Sequence, residues 1–224
     1  MNFRALAVFL VIAAISAVAQ TPKAGDAASA TTNTPVGHWV AEHPSNGGIG
    51  TWWDFRCDGT LTMHIGAMVT SPCPHTANTL TMASETVDGP PIHATYRIDG
   101  DKLYLKVGDT PEAGFTRQGP APSPTDPLLG KWRPDPPAVP NPDPQAAAMQ
   151  KAMLNALFVF SADGTQSVRI PFLAKEGTWD ATAHTFKFAG EPINYSFDLS
   201  GPKLVLGQPP QNKTSDTYLP DPIL

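Results

Sequence analysis

Beyond about residue 35 the chain alternates apolar and polar positions at period two, the mark of strands, whose successive side chains face opposite sides of a sheet. Leu61, Met63 and Ile65 share one face and Thr62 and His64 the other, while Leu103, Leu105 and Val107 alternate with Lys102, Tyr104 and Lys106. Val168, Ile170 and Phe172, then Phe186 and Phe188, then Leu204 and Leu206 continue the pattern. In Thr51-Trp52-Trp53-Asp54-Phe55-Arg56 the same rule puts Trp53 and Phe55 on a core face and leaves Trp52 with Asp54 and Arg56 on the outer one. Asp58-Gly59, Gly100-Asp101 and Asp163-Gly164 separate such runs as hairpin turns, glycine supplying the positive φ of a tight turn.

Blocks of this pattern recur in a fixed order, the signature of an internal repeat. Gly37-His38-Trp39 is matched by Gly130-Lys131-Trp132, Phe55 to Thr60 by Phe160 to Thr165, and Thr76 to Glu85 by Thr182 to Glu191. Tyr96-Arg97-Ile98-Asp99 is matched by Tyr195-Ser196-Phe197-Asp198, and Lys102 to Leu105 by Lys203 to Leu206. About seven strands fall in each copy, the spacing of meandering barrels or sandwiches. The expectation is an all-β chain of two repeated antiparallel barrel or sandwich modules, 35–118 and 127–224. Gln118 to Asp126 is rich in proline, which favours a stiff spacer, so 119–126 reads as the linker between them.

The second copy carries extra residues between Trp132 and Phe160, and they predict the one helix, at about 144–155. Asp143 suits the cap, Pro144 the first helical position, and Gln145 to Leu154 are good helix formers. Met149 and Met153 lie four apart, with Ala146 and Ala156 or Leu157 continuing an apolar stripe.

The N-terminus changes the compartment. Arg4, an apolar run from Ala5 to Ile15 and then Ala17-Val18-Ala19 read as a secretory signal peptide over 1–19, with the mature chain starting at Gln20. The run is short of the roughly 20 residues a membrane span needs, so no span is expected in the mature chain. Residues 20–34 hold too little apolar surface to offset ordering and read as a flexible leader. The destination is the periplasm or the exterior. Lys and Arg number 15 against 20 Asp and Glu, a net charge of −5, which offers no basic field for nucleic acid. With 25 prolines in 224 residues, interior helices are few.

The Gly-x-Trp openings, the Asp-Gly-Thr turns at 58–60 and 163–165, the Tyr-x-apolar-Asp blocks and the Leu-x-Leu strands together resemble the small lipocalin-like domains of exported bacterial proteins. The resemblance implies that each tryptophan plugs one end of a barrel and that a cavity holds an apolar small molecule. Eight strands are only just wide enough for one small ligand, so a seven-strand module filled by its own side chains is the alternative. By the same resemblance the helix covers an open end as a lid, with Met149, Met153 and Leu157 at the mouth; a plain cap on a filled module is the other reading.

Candidate chemistry is thin. Five of the six histidines, His38, His43, His64, His75 and His93, lie in the first copy with both cysteines, but no pair has metal-ligand spacing. They read as scattered surface histidines. No Gly-x-Ser-x-Gly elbow or phosphate loop occurs, so no catalysis and no cofactor are expected. Cys57 and Cys73, an even pair in an oxidising compartment, are expected to form a disulfide, provided the chain after Val69 folds back; a long regular strand would carry them past the ~7 Å Cα limit. Trp52, outward on its strand, is either a candidate protein contact or a residue covered by the neighbouring unit. The function expected is therefore an exported non-enzymatic binding module for an apolar small molecule, or else a structural or protein-interaction module of the cell envelope.

Overall fold

The computed structural model describes residues 34–45, 48–83, 89–137, 143–207, 215–221 and 223. The expected signal peptide and nearly all of the leader lie outside them. The regular structure of the described chain is mostly antiparallel β-sheet with very little helix, as the alternation implied. Its strands are β1 (Gly37–Ala41), β2 (Ile49–Phe55), β3 (Thr60–Pro72), β4 (Thr79–Met82), β5 (Ile92–Asp99), β6 (Lys102–Val107), β7 (Ala113–Gln118), β8 (Gly130–Pro134), β9 (Leu157–Phe160), β10 (Thr165–Asp180), β11 (Thr185–Phe188), β12 (Tyr195–Ser200), β13 (Lys203–Gly207) and β14 (Ser215–Pro220). One helix, α1 (Pro144–Leu154), stands between β8 and β9. No helix among the described residues is long and apolar enough to cross a membrane.

The local chemistry anticipated for these elements is present. Asp58 Oδ1 accepts both the amide and the hydroxyl of Thr60, at 2.9 and 2.6 Å, and Asp163 Oδ1 does the same for Thr165 at 3.0 and 2.7 Å. Between each pair the glycine has positive φ, +82° at Gly59 and +79° at Gly164, where a side chain would be strained. Asp143 caps α1 through Gln145 N at 2.8 Å, with Pro144 in the first turn.

Two compact units result, and neither coincides with a stretch between the expected boundaries. The central unit comprises residues 67–171; the terminal unit comprises the described residues up to Gly66 together with those from Phe172 onward. The divisions fall inside β3 and β10. Residues 119–126, expected as an inter-module spacer, instead join β7 to β8, which pair antiparallel with Gln118 opposite Lys131 inside the central unit. The proline count signalled a loop, but a loop between adjacent strands of one sheet uses the same residues as a linker.

In the terminal unit the pairing runs β1-β2-β3-β10-β11-β12-β13-β14 and returns to β1, where Trp39 faces Pro220. Its core collects Trp39, Trp53, Phe55, Leu61 and Met63 with Phe186, Phe188, Phe197, Leu204, Leu206 and Tyr218. In the central unit the order is β4-β5-β6-β7-β8-β9-β10-β3. The backbone just beyond β3 reaches β4 through a bridge of His75 with Leu80 and a bond from Thr81 N to Pro74 O at 2.9 Å. Trp132 is fully buried there with Leu80, Leu103, Leu105, Phe115, Leu128 and Phe160 around it.

Candidate functional site

The interior of the terminal unit is aromatic. Trp53 comes from the middle of β2 and faces inward because Phe55, two residues on, does the same. Its ring lies 5.9 Å from Phe55, 5.3 Å from Phe186, 5.8 Å from Phe188 and 6.0 Å from Tyr218, between centroids. Phe186 in turn stacks on Tyr195 at 5.0 Å and Phe55 meets Phe197 at 6.2 Å. These are the offset and edge-to-face separations of packed aromatic rings. Trp39 closes the cluster, its Nε1 donating to the carbonyl of Pro35 at 2.6 Å.

The central unit carries the matching contact: Trp132 Nε1 donates to the Leu128 carbonyl at 2.8 Å. Over the Trp132 ring lies the guanidinium of Arg117, 4.0 Å from the centroid, which also donates to the carbonyls of Leu129 and Pro127 at 2.8 and 2.5 Å. Burial pulls the Arg117 guanidinium below its ordinary range, an effect that Asp101 at 3.4 Å opposes.

The residues singled out in the sequence fare unequally. Met153 is buried in a cluster with Ala67, Ala156 and Ile170, with Phe158 and Val168 against it, so it behaves as a cap and opens no mouth. Leu157 is also buried, on β9 opposite Arg169. Met149 lies on α1, and its side chain is outside the described ones. Trp52 does point to the outer face, yet it is only 4% exposed and its ring stacks on His64 at 5.3 Å, so it offers no free surface for a partner. Outward direction on a strand does not by itself mean exposure.

The disulfide is absent: Cys57 is exposed and Cys73 buried, both as free thiols. Thirteen-residue β3 runs between them, and at about 3.3 Å per residue an unbroken strand of that length keeps its ends far beyond bonding distance. Burial pushes the Cys73 thiol up to about 11. Titration with a thiol reagent is accordingly expected to count one fast thiol in the native protein and two in denatured, non-reduced protein; a count of zero in the denatured sample contradicts this.

One polar constellation was not legible as a unit in the sequence. Asp54 on β2 holds two imidazoles, Oδ1 meeting His38 Nδ1 at 2.6 Å and Oδ2 meeting His64 Nε2 at 3.1 Å. Register makes this possible: His38 on β1 lies opposite Asp54, and His64 lies on the same outer face of β3. Burial works to raise the Asp54 carboxyl, but the hydrogen bonds and charge of His64 and His38 outweigh it, and the group sits below the ordinary carboxylate range. Beside this row Arg56 donates to Thr62 Oγ1 at 2.7 Å and Thr62 donates to Glu176 at 2.9 Å.

The row resembles the base-and-orienter half of a hydrolytic triad, but catalysis of that kind also needs a nucleophile against the imidazole. The hydrogen-bond partner of His38 is Asp54, and no hydroxyl or thiol is bonded to its ring among the described residues. Both imidazole nitrogens that face the centre of the row are occupied by the carboxylate, and among the described residues no group of three or more His, Cys, Asp or Glu is placed to hold a metal ion. No protein-family model, no curated protein and no solved structure matches the chain.

Proposed function

We propose that this is an exported, non-enzymatic protein of the cell envelope or exterior, built from two copies of a lipocalin-like module whose barrels are filled by their own side chains, and that it serves as a structural or protein-interaction module. The aromatic packing around Trp53 carries this reading, since rings at contact separation on four sides occupy the space a ligand would need. Export rests on Arg4, the apolar run and Ala17-Val18-Ala19.

Duplication is supported by equivalent contacts at equivalent positions: the two tryptophan-to-carbonyl bonds four residues back and the two Asp-Gly-Thr turns. In this reading each barrel draws on both copies. The first gives β1, β2 and the start of β3 to the terminal unit and the rest to the central one; the second gives β8, β9 and the start of β10 to the central unit and the rest to the terminal one.

The carrier reading of the same fold loses support at Met153, which packs against Ile170 and Ala67 where a lid would face a ligand. Titrating the mature protein with an apolar fluorescent probe separates the two. No saturable uptake by the folded protein is expected; stoichiometric uptake that Met153→Lys abolishes without unfolding would restore the carrier.

A further inference from the structure

Five large apolar side chains stand exposed among the described residues, Val36, Ile49, Phe172, Leu173 and Ile193, and all five belong to the terminal unit. Single exposed apolar residues are ordinary on a protein surface, so their placement decides what they mean. Four of them lie at one end. β2 and β3 are joined through the turn at Arg56 to Thr60, so Ile49, at the start of β2, lies at the end of the unit away from that turn, with Ile65 of β3. The bonds from Thr62 to Glu176 and from Trp179 N to Gly59 O run β10 antiparallel to β3, which brings Phe172 and Leu173 to the same end. β11 pairs Phe188 with Gly177, so the loop that follows, with Ile193, also emerges there.

Two of the four continue the rows that build the core. Ile49 shares the inward face of Trp53 and Phe55, and Leu173 that of Lys175, Gly177 and Trp179. Next to them Lys175 Nζ lies 5.1 Å from the centre of the Phe188 ring and donates to Glu191 Oε1 at 2.8 Å, while the Tyr195 hydroxyl donates to Glu191 Oε2 at 3.2 Å. Ile49 and Leu173 are 40% and 46% exposed, and Phe172 and Ile193 54% and 42%. The filled interior thus ends in an apolar rim with polar groups beside it, the character of a surface that meets another molecule.

Charge says what covers it. The described residues of the terminal unit carry four cations, Arg56, Lys175, Lys187 and Lys203, against nine carboxylates, a net charge of −5, whereas those of the central unit balance at eight of each. Three of the four cations are matched within the unit, Lys175 by Glu191, Lys203 by Glu42 and Arg56 by Glu176. At the rim end of β14 Asp216, opposite Leu206, is exposed. We propose that this end of the terminal unit docks a cationic amphipathic segment of a partner protein, whose apolar side chains lie on Ile49, Phe172, Leu173 and Ile193 while its lysines or arginines meet the surplus carboxylates. Complementary charge of this kind selects the partner and speeds its encounter. The inference rests on the protein-interaction reading above and adds where the partner sits and what chemistry it carries.

An acetylated octapeptide of alternating leucine and lysine, titrated into the full mature chain by calorimetry and by methyl NMR, tests the site. Saturable binding is expected, with the methyl signals of Ile49, Leu173 and Ile193 shifted and the affinity falling severalfold between about 50 and 500 mM salt. Octapeptides of leucine and glutamate, or of serine and lysine, are expected to bind at least about tenfold more weakly, as is the leucine-lysine peptide to a chain carrying Leu173→Asn with Ile193→Asn. No saturable binding of the leucine-lysine peptide overturns the proposal, as does equal binding of either control peptide or equal binding to the folded variant. Should that variant fail to fold, the methyl shifts decide: shifts confined to other residues overturn the proposal. A protein that takes up neither the peptide nor the apolar fluorescent probe loses this inference alone. One that takes up the probe at this end without preferring the lysine peptide loses the filled-barrel reading as well.

Discussion

Trp53→Ala is expected to cost about 3–5 kcal/mol, the range for emptying a large aromatic site in a packed core. The ring contacts Phe55, Phe186, Phe188 and Tyr218, contributed by β2, β11 and β14, so its removal loosens three strands of one unit at once. Each aromatic pair adds roughly 0.5–1.5 kcal/mol beyond buried area. Whole domains are stable by only about 5–15 kcal/mol, so a large share of the margin goes with this one side chain. Denaturant unfolding followed by near-ultraviolet circular dichroism reads the effect. An unchanged midpoint would mean that the interior is loosely filled, which would also undercut the case against a ligand cavity.

The second large effect concerns the sequence halves. Residues 127–224 expressed alone are expected not to give a cooperatively folded monomer. They bring Phe186, Phe188, Phe197, Leu204, Leu206 and Tyr218 to the terminal core but lack Trp39, Trp53, Phe55, Leu61 and Met63, which come from the first half. They bring Trp132 and Phe160 to the central core without Leu80, Leu103, Leu105, Phe115 or the Arg117 that covers the indole. Each missing set also leaves strands with unpaired edges. Adding residues 35–118 is expected to restore a cooperative thermal transition. A half that melts cooperatively as a monomer with its aromatic signals in place contradicts the arrangement.

How far the sequence could be read follows from the range of each signal. The turns at Asp58-Gly59 and Asp163-Gly164, the inward faces of Trp53 and Phe55 and the start of α1 at Asp143 depend on neighbours a few residues away, and all could be read directly. Alternation also put Asp54 and His64 on outward faces of their strands. It could not supply the register that sets His38 opposite Asp54, because a strand's periodicity is the same in every pairing. Spacing rules for metal and catalytic sites look along the chain, and this row runs across it.

The same limit hid the division into units. β1 and β14 lie at opposite ends of the described chain yet pair, and nothing local to Gly37–Ala41 distinguishes β14 from β7 as a partner. The disulfide expectation failed on length: β3 extends to Pro72 without a break, so the fold-back that would bring Cys73 to Cys57 does not occur. Trp52 failed on coverage, its outward face being stacked with His64.

Cutting the chain in its native state tests most directly whether each unit is shared between the two halves. A protease site replacing Ala121-Pro122-Ser123-Pro124, in the loop between β7 and β8, allows the covalent link to be severed after folding. Light scattering on the cut protein is expected to give the mass of the intact mature chain, with the melting transition little changed, because strands of both halves pair throughout each unit. Separation into two smaller species that each stay folded would contradict the account.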